Sequence, residues 1–350
     1  MEAAYLKLYR ELKQQILSGN YACGERFMSK RAAAEESGLS LVTVQHAYEI
    51  LCDEGWLTAR ERSGFFVAYS AEGGVSVPRI PETPDPSPAE ERVDSGLPFG
   101  IYSRAVRTVL NTRGESIMEK SPNKGCTELR EALSAYLAAL RGMSVSPAQI
   151  VIGSGAEYLY SIIVRILGTE KPYALESPSY DAIRLVYESA GVTCRMLPMG
   201  PGGIRSDALA SSDAGVLHVT PFHSWPTGVT AGASKRREYV SWARQRQGYL
   251  VEDDFDSELS ASSKAADTLY SQAPDRVIHI NTFTRTVSPA LRAGYMVLPA
   301  SLLGVYQERA GFLSCSVPVT EQLVLAELLR SGEFARHLRR VRRKMRAVKG

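Results

Sequence analysis

Two short segments, about thirty residues apart, carry side chains that could bind a small phosphorylated cofactor. The first is the acidic run over residues 252–258, and the second is the hydroxyl-rich run over residues 281–292, which ends at Arg292. A carboxylate from the first run could pair with a protonated ring nitrogen. The hydroxyl groups of the second run, together with Arg292, could hold a phosphate.

This combination is typical of a binding site for pyridoxal phosphate. The residue expected in the middle of the second run is a lysine, because only a primary amine condenses with the cofactor's aldehyde to form a Schiff base. Arg285 stands there instead. Its guanidinium is planar, delocalised and always protonated, so it cannot take that role. The sequence therefore predicts a cofactor site that has lost its covalent anchor.

Length and composition indicate a globular protein with two domains. The chain has 350 residues, of which 44% are apolar, enough for one small and one large domain. No stretch approaches the length of a membrane span and the first residues do not form a signal peptide, so we expect a cytoplasmic protein without membrane segments. The five cysteines and five histidines are dispersed, which predicts reduced thiols and no metal site.

The net charge of +3 conceals an uneven distribution. Residues 336–349 hold six arginines, two lysines and no acid, so the rest of the chain carries about −5. Residues 1–69 hold eight basic against nine acidic side chains, so bulk charge does not indicate nucleic-acid binding there. A proline-rich stretch over residues 71–98 cannot bury enough apolar surface to fold alone. It predicts a linker between a domain at 1–70 and another at 99–350.

Residues 1–70 show the spacing of three helices followed by a hairpin. Apolar residues recur at helical spacing in the first helix, and Ser29 and Ser40 are placed as N-caps of the second and third. A three-residue turn joins the second helix to the third, and two β-like runs follow at 56–59 and 65–69. This order predicts a winged helix-turn-helix.

Motifs spread over nearly the whole of this head occur together in one known family. They are Leu8-Tyr9, Ile16-Leu17-Ser18-Gly19, Gly24, Ser29-Lys30-Arg31, Ser40, Thr43-Val44, Ala47-Tyr48, Leu51, Gly55 and Ser63-Gly64. The head thus resembles the DNA-binding domain of GntR-type bacterial repressors, which implies double-stranded operator DNA as partner. The candidates for DNA contact are Lys30, Arg31, Thr43, Gln45, His46, Arg60 and Arg62.

The recognition helix departs from that family. After the capping Ser40 the family usually places an arginine and then a polar residue, whereas this chain has Leu41-Val42. Arginine is the best reader of guanine in the major groove, so we expect base readout to be weakened or redirected. The alternative interpretation is that the polar side chains of the head merely solvate a small helical domain.

Strand-like and helix-like segments alternate through residues 99–350. Helical patterns, including 180–189 and 235–245, lie between most of the strands. This order predicts an α/β fold with a mainly parallel sheet and helices on both faces. The predicted buried strands are residues 149–152, 173–175, 216–219, 249–251, 277–280 and 295–298.

Six motifs follow one another in this second domain. They are Glu128-Leu129-Arg130, Ser154-Gly155-Ala156, the run at 176–180, the run at 220–228, the acidic run and the run at 284–292. In this order they resemble the fold type I aminotransferases, in the form fused to GntR heads in MocR-type regulators. The resemblance implies a fold type I pyridoxal phosphate-dependent transferase-like domain, a homodimer and a small-molecule effector.

The resemblance also implies a role for each residue of the site. The amides of Gly155 and Ala156 would face the cofactor phosphate at a helix start, Tyr180 would stack on the pyridine ring, and Asp253 would pair with its nitrogen. Taken alone, Gly155 could be an ordinary turn, Tyr180 a core aromatic and Asp253 a helix cap. The remaining members of the phosphate cup would be Thr282, Thr284 and Arg292.

Three departures concern the chemistry. Arg285 removes the amine that moves protons in transamination, and Phe255 stands where the family commonly has a tyrosine that hydrogen-bonds the cofactor. In the family, the helix beginning near Glu333 leads to a small domain, whereas this sequence ends at Gly350. We therefore interpret residues 336–349 as a connecting helix, with a nucleic-acid-binding tail as the alternative.

The sequence thus predicts a dimeric transcription regulator that binds operator DNA. Its aminotransferase-like domain would dimerise and sense a small molecule, with any pyridoxal phosphate held noncovalently. Two alternatives stay open, a pyridoxal phosphate-dependent aminotransferase and a degenerate fusion with little specific activity. The lost lysine argues against the aminotransferase.

Overall fold

The computed structural model describes residues 3–60, 63–69, 96–255, 257–259 and 267–349. The chain divides into two compact units, residues 1–90 and 91–350. Within the described ranges, each helix is too short or too polar to cross a membrane.

The first unit contains three helices and a two-stranded hairpin, as the sequence predicts. Its core is made by apolar side chains one or two helical turns apart, such as Leu8 and Leu12 of the first helix and Val44 and Leu51 of the third. The predicted winged helix-turn-helix is therefore confirmed. Its elements are α1 (Ala4–Leu17), α2 (Lys30–Ser37), α3 (Leu41–Asp53), β1 (Leu57–Arg60) and β2 (Gly64–Val67).

Serine caps fix the starts of α2 and α3. The Ser29 hydroxyl accepts a hydrogen bond from the Ala32 amide, and the Ser40 hydroxyl accepts one from the Thr43 amide, each at 3.2 Å. Such caps stabilise a helix by about 1 kcal/mol. Gly38 ends α2 in the left-handed region at φ +68°, a conformation that glycine adopts without strain. The three-residue turn of the motif thus follows from its sequence.

The second unit is an α/β domain around one large sheet. The predicted strands are confirmed with shifts of a few residues at their ends, and the helices predicted at 180–189 and 235–245 are α7 and α9. The elements are α4 (Phe99–Arg113), α5 (Thr127–Arg141), β3 (Ile150–Gly153), α6 (Ala156–Leu167), β4 (Tyr173–Ser177), α7 (Asp181–Ser189), β5 (Cys194–Gly200), β6 (Gly203–Ile204), α8 (Ser206–Ser211), β7 (Val216–Val219), α9 (Ala233–Gln245), β8 (Tyr249–Asp253), α10 (Leu269–Gln272), β9 (Val277–Thr282), β10 (Gly294–Val297), α11 (Leu303–Arg309), α12 (Val319–Arg330) and α13 (Glu333–Lys349).

The strand order in this sheet is β3-β10-β9-β8-β7-β4-β5-β6. Strands β5, β4, β7, β8 and β9 run parallel, while β10 is antiparallel to both of its neighbours and β6 is antiparallel to β5. The predicted mainly parallel sheet is confirmed. Because β3 and β9 both lie antiparallel to β10, the carboxyl ends of β3, β4, β7, β8 and β9 meet at one edge.

Helices cover both faces of the sheet, and the strands alternate between two apolar cores. Leu250 and Val277 pack into the core that includes α5, α9 and α12. The next residues along the same strands, Val251 and Ile278, pack into the core on the α6 and α7 side. This period of two explains why the strands are apolar throughout, as expected for a sheet buried on both faces.

The basic segment near the C-terminus forms the amphipathic helix α13. Phe334, Leu338 and Val341 lie one turn apart and are buried in the domain core, and the Phe334 ring packs edge-on against Tyr136 with centroids 5.4 Å apart. The Arg342 side chain donates to the Glu258 carbonyl at 2.7 Å. This packing supports the interpretation of the segment as a helix of the aminotransferase-like fold.

Candidate cofactor site and nucleic-acid interface

The carboxyl edge of the large sheet brings together the predicted cofactor residues. Asp253 is the last residue of β8 and Thr282 the last of β9, while Gly155 follows β3 and starts α6. Open α/β sheets bind ligands in the crevice beyond the carboxyl ends of their strands. The edge therefore gathers an acid, hydroxyl groups and a helix N-terminus in one place.

Asp253 presents one unused acceptor in a buried position. Its side chain is 4% exposed, and its Oδ2 accepts a hydrogen bond from the Tyr160 hydroxyl. The Nε2 of His218 lies 3.7 Å from the same oxygen. Within the described ranges, Oδ1 has no hydrogen-bond partner. A buried acceptor without a donor is costly, so this oxygen suits a protonated ring nitrogen.

Aromatic side chains hold this carboxylate from the side of α6 and α7. The Tyr187 hydroxyl lies 2.8 Å from His218 Nδ1, and the Tyr160 and His218 rings meet edge-on with centroids 5.2 Å apart. Sequence reasoning missed Tyr160, Tyr187 and His218. A tyrosine at a helical core position gives no signal of its own, because most such rings only fill space.

A second buried acid lies close to Asp253. The Glu176 carboxylate, near the end of β4, accepts a hydrogen bond from the Ser224 hydroxyl at 2.7 Å. Burial raises the pKa of Glu176 to about 7, against hydrogen bonds from Ser224 and the Thr220 backbone, and the charge of Asp253 adds to the increase. The charge on this part of the site therefore changes near neutral pH. Sequence reasoning did not single out Glu176.

The N-terminus of α6 and Arg292 lie next to each other, as expected of the two groups predicted to hold a phosphate. Gly155 has φ +98°, a conformation that favours glycine, and a Cβ added there would lie 2.8 Å from the Arg292 guanidinium and push it aside. The first-turn amides of α6, including that of Ala156, have no carbonyl partner within the helix. Arg292 donates to the Glu157 carboxylate at 2.8 Å. A carboxylate of the chain itself thus accepts a hydrogen bond from the arginine that the sequence predicts to hold the phosphate.

The turn between β9 and β10 carries the remaining predicted residues. The Thr282 side chain is buried, and Thr284 is half-buried. The Phe283 amide donates to the Ala293 carbonyl at 2.9 Å, which closes the turn at its base. The turn therefore holds Thr282 and Thr284 at the same edge as Asp253.

The two replaced residues contact each other. The Arg285 guanidinium carbon lies 5.7 Å from the centroid of the Phe255 ring, over its face. A cation over an aromatic ring gains about 0.5–1 kcal/mol at such partly exposed positions. The arginine in the lysine position and the phenylalanine in the tyrosine position thus form one unit, and this unit supplies neither a primary amine nor a phenol.

Two of the ordinary interpretations of single residues are wrong. Tyr180 is not a core aromatic, because its side chain is 48% exposed in front of α7. Asp253 does not cap a helix, because it ends β8 inside the sheet. Gly155 is a strand-to-helix turn and also faces Arg292, while its contact with a cofactor phosphate stays a prediction.

The head carries a basic cleft between α2, α3 and the hairpin. The cleft has a volume of about 300 Å³ and is lined by Arg26, Lys30, Arg31 and Leu41 among others. Sequence reasoning missed Arg26, which pairs with Phe66 as an extra bridge beside the hairpin. Its role depends on this tertiary pairing. Three cations that line one cleft suit a phosphate backbone.

Lys30 and Arg60 lie against aromatic rings of the hairpin. The Lys30 ammonium lies 5.4 Å from the Phe65 ring centroid, and the Arg60 guanidinium lies 4.3 Å from that of Phe66. Arg62 lies outside the described residues. Lys30 of α2 therefore lines the cleft next to the hairpin, and Arg60 lies on the hairpin itself.

The candidates for DNA contact on α3 also make contacts within the head. The Thr43 hydroxyl lies 2.9 Å from that of Ser40, and the Gln45 amide donates to Glu49 at 3.0 Å. The His46 ring meets Tyr5 of α1 edge-on with centroids 5.8 Å apart. Gln45 and His46 are nevertheless exposed, so these contacts orient the side chains and leave polar groups available to a partner.

Comparison with known proteins now defines the class. Residues 4–67 match the family model "Bacterial regulatory proteins, gntR family", and residues 99–348 match "Aminotransferase class I and II". An archaeal alanine:glyoxylate aminotransferase structure has a TM-score of 0.63 at 23% identity, over 69% of this chain and 62% of that one. The Thermus thermophilus α-aminoadipate aminotransferase LysN has a TM-score of 0.63 at 26% identity, over 71% and 64%. The chain thus spans less than two thirds of these enzymes.

Relatives with both domains match almost the whole chain. The uncharacterized HTH-type transcriptional regulator YdeL of Bacillus subtilis is 30% identical over 98% of this chain and 78% of its own length. The pyridoxine biosynthesis regulator PdxR of Corynebacterium glutamicum is 28% identical over 96% and 75%. The probable rhizopine catabolism regulator MocR of Rhizobium meliloti is 26% identical over 96% and 74%. The chain belongs to this MocR-type family of GntR-headed, aminotransferase-like transcriptional regulators.

Two statements follow from this membership. The GntR head is that of a regulator that binds operator DNA. The large domain has the fold of a family that binds pyridoxal phosphate. The expected resemblances to both families are confirmed.

Proposed function

We propose that this regulator binds pyridoxal phosphate noncovalently in its aminotransferase-like domain and uses it as an effector without catalysing transamination. The observation that carries the proposal is the buried Oδ1 of Asp253, which has no hydrogen-bond partner among the residues that the structure describes, in a site where Arg285 takes the place of lysine. The acceptor for the ring nitrogen is retained, and the amine is absent from the position that should supply it.

Residues at the sheet edge fit the cofactor's charged groups. Asp253 would accept from the ring nitrogen, and this ion pair would keep that nitrogen protonated. Gly155, Ala156 and Arg292 would hold the phosphate, and the hydroxyls of Thr282 and Thr284 would add donors. When bound to such a site with a lysine, the cofactor supplies an electron sink for reactions at amino acids.

Arg285 removes the proton transfer that transamination needs. A general base must release and take up a proton near the working pH, whereas a guanidinium stays protonated throughout that range. Its contact with Phe255 holds it as a plain cation. We therefore expect binding without turnover, and any response to the ligand to depend on binding energy alone.

Coupling to DNA would require two copies of the chain. A homodimer would place two heads on the two half-sites of an operator. The ligand changes operator affinity only if it binds one arrangement of the dimer more tightly than another. The large domain would therefore both dimerise and sense the small molecule.

The test measures operator affinity of the full chain with and without pyridoxal phosphate. Fragments selected from genomic DNA would first define the operator, and the ligand should then shift its affinity by at least about fivefold, the lower range of allosteric coupling. Product keto acid accumulating from amino acids would instead establish the aminotransferase. Only salt-sensitive, sequence-independent DNA binding would indicate a degenerate fusion.

A further inference from the structure

Two large apolar side chains are exposed at the start of the recognition helix. Leu41 is 50% and Val42 is 68% exposed. In the described part of the head, the other large apolar side chain with comparable exposure is Leu17, at 44% on α1. Leu41 and Val42 are neighbours in the chain, so together they present an apolar surface at the start of the recognition helix.

The fold fixes this pair where a base reader belongs. The Ser40 cap sets the start of α3 at Leu41, and the first residues of the second helix of a helix-turn-helix contact base edges in the major groove. The capping hydroxyl also engages the Thr43 hydroxyl. The first turn of α3 therefore begins with two exposed apolar side chains.

The surroundings of the pair indicate DNA as its occupant. Leu41 lines the same cleft as Arg26, Lys30 and Arg31. Cations on this side suit the phosphates that border a groove, whereas an apolar protein partner would have to bury them. The apolar feature that the major groove offers is the C5-methyl group of thymine.

We propose that Leu41 and Val42 select thymine at adjacent operator positions by packing against its C5-methyl group. This inference rests on operator binding by the head. The pair reads shape and apolar surface, so it distinguishes thymine from cytosine and from uracil. Each buried methyl should contribute about fourfold to affinity.

The test removes one methyl group at a time from the DNA. The operator of the full-length protein is first defined by selection, and each thymine is then replaced by deoxyuridine, which lacks only the C5-methyl. We expect an approximately fourfold loss at one or two neighbouring positions of each half-site. In the Leu41→Ala, Val42→Ala double variant, thymine and deoxyuridine operators should bind equally.

Two variants serve as controls. Leu17→Ala removes an exposed apolar side chain on α1 and should keep the thymine preference. Arg31→Ala should weaken binding to both operators alike and lower the dependence of affinity on salt. Both side chains changed in the double variant lie on the surface, and a melting curve like that of the wild type would show that the variant is folded.

Three results would overturn the inference. Equal binding of thymine and deoxyuridine operators by the wild type would show that no methyl is read, although regulation by the head would stand. Loss of self-association in the double variant, with the thymine preference kept, would assign the pair to a protein contact. Absence of any selected operator would contradict DNA regulation itself, and this proposal with it.

Discussion

The two ends of the cofactor site differ in how they are built. The Asp253 end is buried and supported by Tyr160 and His218. At the other end, the Arg292 side chain is 55% exposed and paired with Glu157, and Arg285 replaces the lysine. Under the proposed function, the ring nitrogen of the ligand would meet a buried, supported carboxylate, and its phosphate an exposed arginine, beside a position that carries no primary amine.

The largest expected effect is at the buried end. Asp253→Asn removes the negative charge but keeps the shape, and we expect pyridoxal phosphate affinity to fall about 100-fold, or about 3 kcal/mol. Calorimetric titration measures the loss. The melting temperature without ligand should not fall, because the variant removes a buried carboxylate with an unpaired oxygen. A variant that binds the ligand as tightly as the wild type would disprove this assignment.

Glu176 lies at the same buried end, and its titration predicts how the stability of the protein depends on pH. Its pKa is raised to about 7 by burial, so the folded protein binds a proton more tightly than the unfolded chain. Stability should therefore fall as pH rises from about 4.5 to about 7, by about 3 kcal/mol. Glu176→Gln should abolish this loss, so that it exceeds the wild type in urea unfolding at pH 8 and matches it near pH 4.5. Identical pH profiles for the two proteins would show that the carboxyl titrates normally.

Substitutions at the exposed end should change pyridoxal phosphate affinity less than Asp253→Asn does. Arg292→Ala should weaken pyridoxal phosphate binding by about tenfold, because a charge-assisted hydrogen bond to phosphate is lost in a partly solvated place. Arg195→Ala is the matched control, since Arg195 is also half-exposed and paired with an acid, Asp213. If both variants bound the ligand equally well, Arg292 would not be part of the phosphate site.

The smallest expected effect is an increase in pyridoxal phosphate affinity, where the other variants of the site weaken binding. Glu157→Gln releases Arg292 and removes a negative charge beside the phosphate, so affinity should rise about threefold, as expected for an exposed pair. Glu131→Gln is the control, because Glu131 pairs with Arg330 in a similarly exposed setting at 3.5 Å. A fall in affinity in the Glu157 variant would mean that its carboxylate supports the site.

The sequence predicted the features of the fold that depend on local residue patterns, such as helix starts and buried strands. Ser29 and Ser40 cap their helices because the cap is a contact within three residues, and the buried strands follow from apolar runs between turns. Strand β5 was missed, because Arg195 and Met196 are exposed and Pro198 interrupts its pattern.

The support of the site could not be predicted from the sequence. The Tyr160–Asp253 and Glu157–Arg292 contacts join residues 93 and 135 positions apart. No sequence motif indicates either contact. The sequence therefore predicts the side chains that would touch a ligand, but not the side chains that position them. The contact between Arg285 and Phe255 is of the same kind. Each replacement was visible alone, and their pairing required the fold.

Reductive trapping tests the central claim most directly. The wild type and the Arg285→Lys variant would be incubated with pyridoxal phosphate and reduced with borohydride. Each protein would then be denatured and its mass measured by mass spectrometry. We predict a covalent adduct in Arg285→Lys, because the new amine would lie at the retained site, and no adduct at residue 285 in the wild type. A specific wild-type adduct at another lysine of the site, or no adduct in the variant despite bound ligand, would contradict a site that has kept binding and lost its anchor.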